Sequence, residues 1–176
     1  MTAFPGLTAG TWTVDPTHAE VGFVARHLMV AKVRGRFTEV SGTVEVGETL
    51  AETSVRALAS AASVSTNQAD RDGHLRSADF FDVEAYPELT FVSTSVSSDS
   101  MTGDLTIKGV TRSVTFDLEF DGVQADPWGN TKAGFTATTA INRSDWGLTW
   151  NAAIEGGGVL VSDKITITLE VELLKG

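Results

Sequence analysis

The chain has no cysteine. That removes disulfides, thiolate metal ligands and cysteine nucleophiles together. Proline occurs only four times in 176 residues, and no low-complexity or linker segment interrupts the pattern, so a single domain over residues 1–176 is expected. Cations are scarce: 13 Lys+Arg stand against 23 Asp+Glu, a formal net charge of −10. Such a chain repels phosphate backbones and anionic membrane surfaces on average, and nucleic acid is not an expected partner. No segment approaches the roughly 18 apolar residues of a spanning helix, so integral membrane association is not expected either. The N-terminus, Met-Thr-Ala-Phe-Pro-Gly-Leu-Thr-Ala-Gly, has no basic start and no long apolar run. That reads as a cytoplasmic protein. Catalytic signatures are missing too. The chain has no GxSxG, no P-loop, no GxGxxG and no HExxH, and no cofactor is expected.

What the sequence does carry is alternation. Ile165, Ile167, Leu169, Val171 and Leu173 interleave with Lys164, Thr166, Thr168, Glu170 and Glu172, one greasy face and one wet face of a half-buried strand. Val114, Phe116, Leu118 and Phe120 repeat the pattern, as do Val21, Phe23, Ala25 and His27. Further strands are expected near 10–15, 33–47, 53–65, 88–97, 102–108 and 131–141. Phe37 and Val44 fall on opposite phases of one stretch, so a bend is expected there, with Gly42 as its site. Lys108-Gly109 reads as a tight hairpin turn. Glu155-Gly156-Gly157-Gly158 reads as a flexible turn before the last strand. One helical region stands out after Thr66, with Asn67 as N-cap and Asp70 in the first turn. A short helix near 142–146 would start at Asn142. Many strands with one helical insertion suggest a sandwich or a barrel, and a barrel leaves no sheet edge exposed.

Few residues invite a chemical role. His18, His27 and His74 show no metal-ligand spacing, and no metal site is expected. His27 sits on the greasy phase of its strand, so an inward, hydrogen-bonded imidazole is expected. Arg71-Asp72-Gly73-His74 could be a catalytic pair or a helix cap with a local ion pair. Arg143 beside Asp145 could be a strand-end salt bridge or a ligand-headgroup contact. The aromatic residues fit a filled core or a lined cavity equally well.

The order of these motifs carries more. Trp12-Thr13-Val14-Asp15-Pro16-Thr17-His18, Val21-Gly22-Phe23 and Val33-Arg34-Gly35-Arg36-Phe37 are followed by Asn67, Arg71-Asp72, His74-Leu75, Ser77 and Asp79-Phe80-Phe81-Asp82. Then come Tyr86-Pro87, Thr90-Phe91, the run Gly103 to Thr111, Gly134-Phe135, Asn142 to Gly147 and Val161-Ser162-Asp163. In this order they resemble the YceI-like family of lipocalin-like polyisoprenoid-binding proteins, leaving residues 1–9 outside as an N-terminal tail. The resemblance implies an all-β fold, an extended eight-stranded antiparallel lipocalin-like barrel with a short helical insertion near 67–86. It implies a homodimer. It also implies that the interior binds, stores or transports a polyisoprenoid or a related amphiphile such as a prenylated quinone, without catalysis. Val21, Phe23, His27, Phe80, Phe81, Phe91, Ile107, Phe116, Phe135 and Trp146 are then expected on the cavity wall. Arg71, Asp72, His74, Arg143 and Asp145 are expected as polar contacts. Two other readings stand beside it: an enzyme acting on an apolar substrate with a histidine base, and a structural or regulatory barrel without a ligand.

Overall fold

The structure, a computed structural model, describes residues 3–28, 30–151 and 161–176. Its strands are β1 (Gly10–His27), β2 (Ala31–Phe37), β3 (Val40–Val46), β4 (Ser54–Ser60), β5 (Val64–Ser65), β6 (Glu88–Val96), β7 (Ser100–Ile107), β8 (Val110–Ala125), β9 (Thr131–Asn142) and β10 (Lys164–Lys175). The one α-helix among the described residues is α1, Ala69–Arg76. Strands β1, β3, β4, β6, β7, β8, β9 and β10 follow one another round a ring, and β10 returns to pair with β1. Every pairing is antiparallel. The expected eight-stranded barrel is therefore closed, and its wall has no free edge.

Strand β1 holds the ring together because it pairs on both sides. Its first residues meet β3, from Gly10 opposite Val46 to Thr13 opposite Thr43. Its later residues meet β2, from Val21 opposite Phe37 to His27 opposite Ala31. The expected bend in 33–47 does occur, but at Thr38 and Glu39 rather than at Gly42, which stays in register opposite Ala57. The reason lies across the sheet. A single 3-10 turn at Ala61–Ser63 interrupts the neighbouring strand, and Thr38 N donates to Ser63 O there. One extra turn on one strand demands a matching kink on its partner. Between β7 and β8 the hairpin closes through Lys108 (φ 51°) and Gly109 (φ 76°), with Ile107 opposite Val110. Two successive positive φ angles make the turn that matches strand twist.

Helix α1 begins one residue later than the sequence suggests. Gln68, not Asn67, is the N-cap, and its side chain accepts from Arg71 N. Asn67 takes a left-handed conformation, φ 61°, that turns the chain into the helix. The turns after α1 drop Phe80 and Phe81 onto the barrel. Phe81 packs edge-on against Phe37, ring centroids 5.7 Å apart, and Phe80 joins the core with Trp146. This insertion covers the end where β1 finishes. The Arg143–Trp146 segment is a 3-10 turn with Asn142 at its N-cap position. The Glu155–Gly158 turn lies outside the described residues.

The opposite end is closed by residues that were expected to be a tail. Phe4 and Leu7 are 2% and 4% exposed. They pack with Trp12, Val44, Val46 and Leu173, and the Phe4 ring sits 5.2 Å from both Phe120 and Phe135. Trp12 is fully buried and its indole N–H donates to Thr8 O at 2.9 Å. Residues 4–8 thus fold under the barrel as a plug. Truncating Phe4 removes a large buried ring, and Phe4→Ala should cost about 3 kcal/mol of unfolding free energy. Urea titration followed by tryptophan fluorescence measures this, and an unchanged midpoint would mean that the segment does not hold the barrel end.

Candidate ligand-binding cavity

The inward residues of a closed eight-stranded barrel converge on its axis. Here they stop short of filling it. A cavity of about 290 Å³ runs through the interior. That is far more than the roughly 10–15 Å³ needed by one water molecule, so it is not a packing flaw. Ile165, Ile167, Leu169, Val171 and Leu173 of β10 all face it, as their alternation predicted. So do Leu105 and Ile107 of β7, Phe116 and Leu118 of β8, and Val21, Phe23 and Ala25 of β1. Phe80, Phe81 and Leu75 line it from the helical insertion, and Phe4 and Leu7 from the plug. Among its described lining residues only Ser41, Thr53, Thr90 and Arg143 carry polar side chains beyond the Trp146 indole N–H. That N–H is spent on Leu105 O at 2.9 Å. An interior of this kind takes no water and gains by taking hydrocarbon.

One local feature explains the Val-Arg-Gly-Arg-Phe stretch. Phe23 lies across the backbone of Gly35, directly opposite it in the β1–β2 ladder. A Cβ at Gly35 would stand 2.2 Å from Phe23 Cζ. The glycine lets the ring lie flat along the wall instead of projecting into the lumen.

Ten of the sequence-derived candidates line the cavity: Val21, Phe23, Phe80, Phe81, Phe91, Ile107, Phe116, Phe135, Arg143 and Trp146. Five do not. His27 is exposed, contrary to its expected inward position. Its phase is right, but β10 accompanies β1 only as far as Val24. Ala25 still lines the cavity, but His27 lies three residues past the last β1–β10 pair, and its side chain is left in solvent. Asp72 is buried as a local cap, accepting from Thr66 N and Thr66 Oγ1. Arg71 donates to Thr66 Oγ1 and O at 2.7 and 2.9 Å. His74 Nε2 pairs with Asp79 Oδ2 at 2.9 Å and its ring stands edge-on to Phe80 and Trp150. Asp145 is exposed and forms no ion pair with Arg143 among the described residues.

Arg143 does something else. It is 7% exposed and donates to backbone carbonyls, Nε to Ser162 at 2.9 Å and Nη1 to Leu148 at 2.8 Å and Trp150 at 2.9 Å. Its guanidinium carbon lies 5.8 Å above the Phe80 ring. Burial pushes its pKa down, and Asp163 partly offsets this, yet a guanidinium stays charged in any protein setting. Its Nη2 makes one long bond, 3.4 Å to Val161 O, which leaves donor capacity at the wall. The residues that sequence reasoning passed over are mostly aliphatic, such as Leu75, Leu89 and Ile141. Phe4 and Leu7 had no periodic signal at all, because a plug is neither strand nor helix.

Outside the barrel, β1 bulges between Val14 and Ala19 against β10. The bulge brings Asp15, His18 and Glu172 ligand atoms within 4.8 Å of one another, the one such grouping among the described residues. The place of a cation there is taken by Lys132, whose Nζ lies 3.0 Å from Asp15 Oδ2 and 3.2 Å from Glu172 Oε2. The Thr17 hydroxyl and the Lys132 ammonium, with His18 and the Thr17 N–H, hold the Asp15 carboxyl well below the usual carboxylate range. Asp15, and then Glu172, raise Lys132 in return. This ion network spans the bulge and ties β1 to β9 and β10.

A sequence profile of the YceI-like domain matches residues 12–173. The chain belongs to the YceI-like family. A UPF0312 protein of Staphylococcus aureus is 38% identical over 164 residues, covering 92% of this chain and 95% of that protein. The Campylobacter jejuni YceI protein, 32% identical, superposes with a TM-score of 0.71 over 86% of this chain and 90% of its own. A Saccharophagus degradans domain, described as polyisoprenoid-binding and implicated in plant cell wall breakdown, has a TM-score of 0.73 at 16% identity. It covers 94% of this chain and 98% of its own. At that identity the likeness is one of fold. The plug residues Phe4 and Leu7 lie outside the stretch matched by the YceI-like profile.

Two predictions follow from these geometries. Arg143→Met strands several buried carbonyls and should cost about 2–4 kcal/mol, read from the urea midpoint. Asp15→Asn should cost about 1.5–3 kcal/mol at neutral pH, because charge-assisted bonds to Thr17 and Lys132 are lost. The sign with pH follows from the depressed folded value. The carboxylate's contribution is complete above the unfolded pKa of about 3.9 and disappears as pH falls toward the folded value. The stability gap between the native chain and Asp15→Asn should therefore narrow below about pH 4. A gap that stays constant down to pH 2 would mean the network is not electrostatic.

Proposed function

We propose that the protein binds and carries a polyisoprenoid or a related long-chain amphiphile, such as a prenylated quinone, inside the barrel. The observation that carries this reading is the cavity: lined from the plug residues Phe4 and Leu7 to Phe80 and Phe81 of the helical insertion, and apolar over almost all of its wall. Each buried CH₂ is worth roughly 0.8 kcal/mol, so a single five-carbon isoprene unit contributes on the order of 3–4 kcal/mol. A chain of several units needs no hydrogen bond to stay. The Saccharophagus degradans domain of the same fold, described as polyisoprenoid-binding, supports the ligand class.

In this reading the wall is formed by Val21, Phe23, Phe80, Phe81, Phe91, Ile107, Phe116, Phe135 and Trp146, and Arg143 receives the polar head. Arg143 is the one charged lining residue among those described, and among the same residues it forms no salt bridge, while its Nη2 makes only a long bond to Val161 O. A permanent cation among carbonyls can orient a headgroup, but it cannot serve as a general base at neutral pH. The described lining residues include no histidine or carboxylate, which favours binding over acid–base chemistry.

Native mass spectrometry of the purified protein, with organic extraction and identification of what is released, tests the proposal. A retained isoprenoid-class lipid is expected. Ala57→Phe and Ala137→Phe each place a ring in the lumen and should abolish that retention while leaving the β-sheet circular dichroism intact. A native protein that never retains or takes up an isoprenoid, or a filled variant that binds as well as the native one, would defeat the reading.

A further inference from the structure

Net charge hides a local exception. Between Val21 and Thr38 the chain has four of its 13 Lys+Arg and none of its 23 Asp+Glu. The β1–β2 hairpin gathers all four cations on one face. Arg26 is directly opposite Lys32, and Arg34 and Arg36 follow at the same phase of β2. All four are exposed. Their side chains make no ion pair and no hydrogen bond among the described residues. This sets them apart from Arg71, Arg76, Lys108, Arg112 and Arg143, each of which donates to a backbone carbonyl. The cross-strand pair Glu20 and Glu170 lies nearer the barrel's middle, and Asp163, next to Ser162, accepts from Ser144 N and Oγ instead.

The hairpin also runs past the end of the paired wall. Strand β10 leaves β1 at Val24, and β5 pairs with β2 only at Arg36 and Phe37. Past those points its contacts with the body among the described residues centre on Val161 and Ser162: the isolated bridge from His27 to Val161, Arg26 N donating to Ser162 Oγ and Ser162 N donating to Arg26 O. Its tip is greasy, with Leu28 39% and Val30 81% exposed. Its inner face leads into the cavity, since Ala25 and Val161 are both lining residues.

We propose that the β1–β2 hairpin docks the barrel on an anionic lipid bilayer, with Arg26, Lys32, Arg34 and Arg36 against the headgroup phosphates and Leu28 and Val30 in the interface. The inference rests on the reading that the cavity takes up a membrane-derived isoprenoid. The chemistry is complementary on both counts. Basic side chains near a negatively charged leaflet attract it, and an apolar tip between them enters the acyl boundary. The remainder of the chain is strongly acidic and is repelled, so the molecule meets the bilayer with this hairpin foremost. The contact sets the cavity end lined by Ala25 and Val161 beside the lipid that it would load or release.

Co-sedimentation with phosphatidylglycerol-containing vesicles tests this, alongside pure phosphatidylcholine vesicles. The full chain should bind the first and not the second, and binding should weaken as salt shortens the Debye length. Lys32→Glu/Arg34→Glu should lower affinity for the anionic vesicles at least thirty-fold, the loss expected for two cations at the surface. Val30→Asp should weaken it as well, and Arg56→Glu, an exposed cation on β4, should not. Uptake of farnesol from solution, followed by tryptophan fluorescence, is measured on the same proteins and should be equal in all of them. Native-like vesicle binding by Lys32→Glu/Arg34→Glu, or no binding by the native chain, overturns the docking proposal even where farnesol uptake persists. Loss of farnesol uptake in the native chain would instead count against the cavity reading. Should the double variant misfold by circular dichroism, Arg26→Gln/Arg34→Gln keeps the polarity and must still lose anionic binding for the proposal to stand.

Discussion

The ladder between β1 and β10 is the seam that turns a row of antiparallel strands into a cylinder, and the greasy interior depends on it. Once β10 returns to β1, every strand of the wall has two neighbours, and the backbone N–H and C=O groups are consumed within the wall. Nothing polar in the backbone then needs a partner from inside. The lumen can be lined with hydrocarbon alone, which an open sheet of the same strands could not sustain.

Closure also dictates where irregularity is tolerated. The bulge at Asp15–His18 breaks the β1–β10 register on the outer surface, and the Asp15–Lys132–Glu172 network holds it there. The 3-10 turn at Ala61–Ser63 and the kink at Thr38–Glu39 compensate for each other on adjacent strands. Both ends of the cylinder are covered by segments outside the ladder: Phe4 and Leu7 below, Phe80 and Phe81 above. Arg143 ties the strand-end turn to the chain around Ser162 through carbonyls, so the one charge among the described wall residues is held in place by the backbone.

The same geometry separates two surfaces with opposite character. Inside, apolar side chains surround unfilled volume. Outside, an acidic protein carries a basic β1–β2 hairpin with an apolar tip. The strands of that hairpin contribute to both, because successive side chains point to opposite faces. Phe23 and Ala25 face the cavity while Arg26, Lys32, Arg34 and Arg36 face solvent. Cavity and hairpin are therefore linked by construction, and a molecule moving between bilayer and barrel would pass along shared strands.

Much of this was legible in the sequence. The alternation in 164–173 and 114–121 announced which side chains face inward, and Lys108-Gly109 announced its hairpin, because a period of two and a pair of positive φ angles are local properties. The start of the helical insertion was visible from its N-cap signal to within a residue. Tertiary structure decided the rest. Alternation states which way a side chain points but not how far away the opposite wall is. That distance is set by strand number and stagger, and here it leaves a cavity instead of a packed core. His27 kept its inward phase but lost its interior, because β10 ends short of it. Phe4 and Leu7 became a plug only because the barrel has an open end to receive them. Four cations spaced along two strands became one face only when β1 and β2 came into register.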